Sequence, residues 1–138
     1  MNTRKNILSM CIVATFGILA FGSLESDGDA KKISSQAPAF EVSAQQLYRD
    51  YEANEVSADA KYKDKVIIVS GRVVKIAKSI TDEAYIVLET GTFAGVQCMF
   101  SKSGQDALAR LTQGQSVRVK GKVYGKMMNV LISGSNLQ

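Results

Sequence analysis

Apolar and polar positions alternate through the second half of the chain, and short polar, glycine-containing breaks separate the alternating runs. The longest apolar stretch there is Lys65–Ile76 (KVIIVSGRVVKI), which continues to Lys78 without strict alternation. It is rich in Val and Ile, which favour a pleated, partly buried strand. Gly71 interrupts it, and a glycine inside an apolar strand marks a bulge, a bend or the close approach of another backbone. A bent strand of this length can serve two sides of a closed barrel. Ala84–Glu89 (AYIVLE) and Gly95–Phe100 (GVQCMF) predict the next two strands. Ser103 and Asp106 form a capping-box pattern for a helix over Gly104–Thr112, with Leu108 and Leu111 on one face. In Ser116–Tyr124, Val117, Val119 and Val123 alternate with Arg118, Lys120 and Lys122, which predicts a strand with the cations toward solvent. Met127–Leu137 predicts a last strand.

Ahead of the strands, Ser43 and Gln46 have the spacing of a capping box, and Leu47, Tyr48 and Tyr51 share one face of the helix it opens. Val56–Lys63 follows as a short turn or helix with Tyr62 as its anchor. The order strand, strand, strand, helix, strand, strand, with a glycine-bent first strand, is that of an OB-fold. This is a five-stranded Greek-key barrel with a helix between strands three and four, here preceded by an N-terminal helix. An SH3-like barrel is the competing arrangement, but it does not require a helix in that place.

The first residues read differently. Arg4 and Lys5 precede Asn6–Leu24, which holds no charge, and Ala20 and Gly22 set small residues before Ser23. Residues 1–24 are therefore expected to be a signal peptide or an N-terminal membrane anchor. A lipoprotein signal wants a small residue before its cysteine, whereas Met10 precedes Cys11, so lipid attachment there is not expected. Residues 25–40 are polar, hold the single Pro38 and show no periodicity, which reads as a flexible tether. The folded domain is expected over 41–138. The expected location is the periplasm or cell envelope, with membrane contact through the N-terminal segment alone.

Composition narrows the chemistry. The 138 residues carry a net charge of +4 and no histidine, which removes the commonest general base and metal ligand. Beyond the hydrophobic run the balance is 15 basic to 13 acidic residues, too mild to argue for nucleic acid. Cys98 shares its strand face with Val96 and Phe100 and is expected as a buried, inert thiol. Glu52, Glu55 and Asp59 recur at helical spacing, which fits a solvated face better than a cation site. No nucleophile, base and orienting group assemble from these positions, so neither catalysis, cofactor nor metal is expected.

The segments YEANEVSADAKYKDKVIIVSGRVVKI, YIVLE, GVQCMF and LARLTQGQSVRVKGKVYG together resemble the tRNA-anti-like family of bacterial OB-fold lipoproteins, over Leu47–Leu137. The resemblance implies an envelope protein on a nucleic-acid-binding type of fold, with no assigned activity. The chain departs from that pattern in lacking a lipobox and in reading LISGSNL where such proteins often carry a cysteine.

Two functional classes follow. One is a binding module for a protein, peptide or glycan of the envelope. The other is a single-stranded nucleic-acid binder. The OB-fold ligand face crosses strands two and three between two loops, which assigns the ligand surface to Lys78, Tyr85, Gln97, Met99 and Lys126. Arg72, Lys75, Lys78, Arg118, Lys120, Lys122 and Lys126 form a candidate phosphate groove, but lysines alternating with valines also serve to keep a sheet edge soluble. Base stacking needs aromatics on those strands. They offer Tyr85, Phe93 and Phe100, the last expected to be core.

Overall fold

A computed structural model describes residues 27–138. The expected leader or anchor over 1–24 lies outside the described residues. Among those described, no helix is long and apolar enough to cross a membrane.

The long apolar run is strand β2 (Val66–Lys78), and it is the hinge of the fold. Its first half pairs antiparallel with β5 (Ser116–Lys126), from Val66↔Lys122 to Arg72↔Ser116. Its second half pairs with β3 (Ala84–Leu88), and the register breaks between Val73 and Lys75. β3 pairs with β4 (Val96–Met99), β4 lies parallel to β6 (Val130–Leu137), and β6 returns antiparallel to β5. The circuit β2-β3-β4-β6-β5-β2 closes a five-stranded barrel of OB type. Gly71 answers to the close-approach reading. A Cβ there would stand 3.1 Å from the Ala44 Cβ and 3.2 Å from the Leu88 Cβ, tighter than side chains normally pack.

A short strand, β1 (Phe40–Ser43), lies parallel to the first half of β2, on the edge that β3 takes further along. Its four residues carry too little period to stand out in the sequence. Ser43 caps α2 (Ala44–Ala53), accepting from the Gln46 amide at 3.1 Å. The Gln46 side chain does not complete the capping box and donates instead to Asp50 at 2.8 Å. Asn54 caps α3 (Glu55–Tyr62), so the expected short piece is a helix. Leu47, Tyr48, Tyr51, Ala58 and Tyr62 from these helices join Ile67, Val69, Ile86, Leu88, Val96, Cys98, Val119, Val123 and Ile132 in one core.

Three expectations are corrected. The stretch expected as a tether holds α1 (Asp27–Ser35), which packs on β5 and β6. Ala30 and Ile33 are buried there, over Gly134. Gly134 has φ +60 and a Cβ on it would collide with Ile33, so glycine lets the helix sit down. Lys120, expected in solvent, is 7% exposed beneath α1, and its Nζ donates to the Ser34 carbonyl at 2.9 Å. The helix expected over Gly104–Thr112 shrinks to a 3-10 turn (Lys102–Gly104) and one α-turn, α4 (Gln105–Leu108). Gly104, which has no side chain to cap with, stands at the N-cap of α4. Leu108 still plugs the core, while Leu111 lies just past the helix end, half-buried.

Candidate functional site

The outer face of β3 and β4 is built by the two-residue period of those strands. Ala84, Ile86 and Leu88 point inward, leaving Tyr85 and Val87 outside; Val96 and Cys98 point inward, leaving Gln97 and Met99 outside. Pairing sets Tyr85 opposite Met99 and Val87 opposite Gln97. A groove of about 670 Å³ runs beside this face, and Lys75, Tyr85, Val87, Phe93, Gln97, Met128 and Asn129 are among its walls.

Hydrogen bonds hold its floor. The Asn129 amide donates to Gln97 Oε1 at 3.1 Å, the Gln97 amide donates to the Met99 sulfur at 3.2 Å, and Asn129 Oδ1 accepts from the Gly95 backbone at 2.9 Å. Phe93 stands at the tip of a loop tied by the Thr90 and Thr92 hydroxyls, which both donate to the Ala94 carbonyl. The result is an ordered stand for an apolar side chain: Phe93 is 92% exposed, with Met128 at 67% on the groove wall. Exposed apolar side chains that gather in one patch, unlike scattered ones, mark interaction sites.

Of the five expected ligand residues, Tyr85 and Gln97 line the groove, and Met99 shares their strand face. Lys78 and Lys126 do not line it. Lys78 pairs with Asp82 at 3.0 Å. Lys126 is drawn to the helices, where its Nζ meets Glu52 at 2.9 Å and lies 5.7 Å from the Tyr48 ring. The Glu52 hydrogen bond raises the Lys126 pKa and fixes its charge. The cation at the groove is Lys75, 5.8 Å from the centre of the Tyr85 ring. Lys75 was legible as a basic strand residue. Phe93 was legible as a candidate stacking aromatic, whereas Met128, expected inside the last strand, lies in the turn before β6, where no period announces exposure.

The basic set does not make one phosphate track. Arg118 binds Glu41 at 2.7 Å and Arg72 faces Glu89 at 3.7 Å, alongside the Lys78 and Lys126 pairs. Glu52 and Asp59 are likewise engaged, Asp59 accepting from the Tyr51 hydroxyl at 3.0 Å. Among the described residues no cluster of His, Cys, Asp or Glu has the make-up of a metal site. Cys98 is fully buried, and desolvation pushes its thiol well above the ordinary range, away from the reactive thiolate.

Barrel and face together define an OB-fold protein with a preformed groove on the strand pair that such folds use for ligands. The chain belongs to the tRNA_anti-like family, whose model matches residues 1–135. Among solved structures it is similar to a putative nucleic acid-binding lipoprotein from Klebsiella pneumoniae, at 16% identity and a TM-score of 0.56, covering 78% of this chain and 96% of that one. Weaker likenesses include yeast Stn1 and Ten1, at 17% identity and a TM-score of 0.46 over 78% of this chain and 65% of that one. Another is a putative aspartyl-tRNA synthetase from Leishmania major, at 16% identity and 0.48 over 75% and 22%. At such identities the likeness is one of fold. No curated protein matches the chain significantly.

Proposed function

We propose that the protein is a non-catalytic binding module of the cell envelope, exported by its N-terminal segment, that holds a protein or peptide segment against the β3–β4 face. The observation that carries this reading is the pairing of an exposed Phe93 and Met128 with a groove floor already hydrogen-bonded within itself. Such a surface offers apolar anchors, which protein interfaces favour at their energetic centre. Export is supported by Arg4 and Lys5 ahead of the uncharged Asn6–Leu24. An alkaline-phosphatase fusion after residue 40 should be active outside the cytoplasm; an inactive cytosolic fusion rejects export. A photo-crosslinker in place of Phe93 in the full chain should capture envelope proteins that one in place of Tyr124, exposed on β5, does not.

One observation favours a second reading. Lys75 over the Tyr85 ring, with Phe93 on the same groove, is the cation-and-aromatic chemistry that holds single-stranded nucleic acid. An ion-paired neighbour argues against it, because a phosphate would have to displace Asp82 from Lys78. Oligothymidylate binding should therefore be weak, lost at moderate salt as counterions re-condense, and indifferent to Tyr85→Ala. Tight, salt-tolerant binding that collapses in Tyr85→Ala puts the nucleic-acid reading first.

A further inference from the structure

A second cavity, of about 750 Å³, opens where the middle of β2, the start of β5, the end of β6 and the N-terminus of α2 meet. Two arginines stand on its wall. Arg72 pairs in register with Ser116, and Ser70 with Arg118, so the arginines are diagonal neighbours on the same outer face. Diagonal positions lie roughly 7–8 Å apart, close enough for two long side chains to converge on one group.

Neither guanidinium is fully used. Arg72 is held by Glu89 at 3.7 Å, too long for a hydrogen bond. Arg118 spends Nε and Nη2 on a single oxygen of Glu41, at 3.1 and 2.7 Å, which leaves the Nη1 edge of its fork. The other side of the cavity is apolar: Leu111, Val117 and Leu137 line it, packed on the core but half covered. The first turn of α2, which also lines the cavity, holds no carboxylate. A planar guanidinium fork fits a planar carboxylate with two parallel bonds. The two glutamates balance the two arginines, so the cavity suits a ligand of low charge that can exchange with one of them. The half-covered floor suits a short aliphatic body beside that charge.

We propose that this cavity binds an aliphatic carboxylate, the acid group on Arg72 and Arg118 and the aliphatic part against Leu111. Both a small organic acid and the free C-terminus of a peptide carry that chemistry. The site is independent of the β3–β4 groove, with which it shares only Glu89 as a common wall.

The test is amide-resolved NMR titration of the full chain in a non-ionic detergent, with hexanoate, N-acetyl-Ala-Leu, its C-terminal amide and sodium sulfate as probes. Hexanoate, N-acetyl-Ala-Leu or both should shift the amides of Arg72, Gln115, Val117 and Arg118 with a dissociation constant on the order of 1 mM. The two acids distinguish the sources: preference for the peptide acid points to a peptide C-terminus, and preference for hexanoate to a small acid. The amide-capped peptide should not bind. Replacing both Arg72 and Arg118 by Gln should weaken binding by about tenfold or more, as expected for loss of charge-assisted bonds. Glu41→Gln, which frees the Arg118 fork, should tighten it, while Tyr85→Ala should leave it unchanged. No shift with either acid overturns the proposal. So do equal shifts with sulfate or the amide, and so does weaker binding in Glu41→Gln.

Discussion

Two hydroxyl–carboxylate bonds fasten the helical layer to itself. The Tyr62 hydroxyl donates to Asp50 at 2.6 Å and the Tyr51 hydroxyl to Asp59 at 3.0 Å, and the two rings stack at 6.3 Å. Burial raises the Asp50 pKa, but the bonds from Tyr62 and Gln46 together with the Lys61 charge outweigh it, so the net shift is downward. A carboxyl with a folded pKa below its unfolded one adds stability that is full above the unfolded value and is lost as pH falls through the folded value. Tyr62→Phe removes the main stabilising bond and should cost about 1 kcal/mol near neutral pH. The gap between wild type and Tyr62→Phe should then narrow in acid, once Asp50 is protonated in both. Urea unfolding at neutral pH and along an acid series that runs well below the ordinary carboxylate range measures this; a gap that stays constant throughout would mean that the charge on Asp50 does not matter to the bond.

The element whose role was least expected is α1. Its sequence, DGDAKKISS, has only Ala30 and Ile33 as apolar positions facing the barrel, too few for a period to show. Isolated, a helix of nine residues is marginal in water. What holds it is tertiary: Ile33 over Gly134, Lys120 Nζ on the Ser34 carbonyl, and the Asn136 amide on the Ala30 carbonyl at 3.3 Å. Ile33→Ala should cost about 2 kcal/mol, at the low end for a buried Ile because the site lies at the surface. Gly134→Val should be worse for α1, since it strains a left-handed residue and strikes Ile33. In both variants hydrogen exchange should accelerate across α1 while the β2–β3 amides stay protected. Unchanged exchange in α1 would mean the helix does not depend on this seat.

At the scale of the whole molecule, barrel and helices share one core. Tyr48, Tyr51 and Tyr62 sit in the same buried cluster as Val69, Ile86 and Val123. Tyrosine fluorescence reports mostly on the α2–α3 layer and far-ultraviolet circular dichroism on the barrel, so their urea transitions should coincide. Two separated transitions would divide the helices from the barrel as independent units. The closed circuit also explains why short strands suffice: β4 has four residues, yet both of its edges are paired, by β3 and β6.

The sequence by itself determined the barrel strands and the inward faces of β4 and β5. Period-two alternation over β4 and β5 is a local property, and the unbroken Val-Ile-Ile-Val start of β2 marks a strand covered on both faces. It also determined that Cys98 is core and that Gln97 and Met99 face out, whereas AYIVL is apolar throughout and only the fold turned Tyr85 outward. Tertiary structure alone decided which partners the charges find. Lys126 turns to Glu52 on α2, Arg118 to Glu41 on β1, and Lys120 goes under α1, across gaps in sequence of 74, 77 and 86 residues. Alternation sets which side of a strand a lysine leaves, but not what the chain folds over that side. For the same reason Phe93 and Met128 come together only when loops distant in sequence meet at the β3–β4 groove.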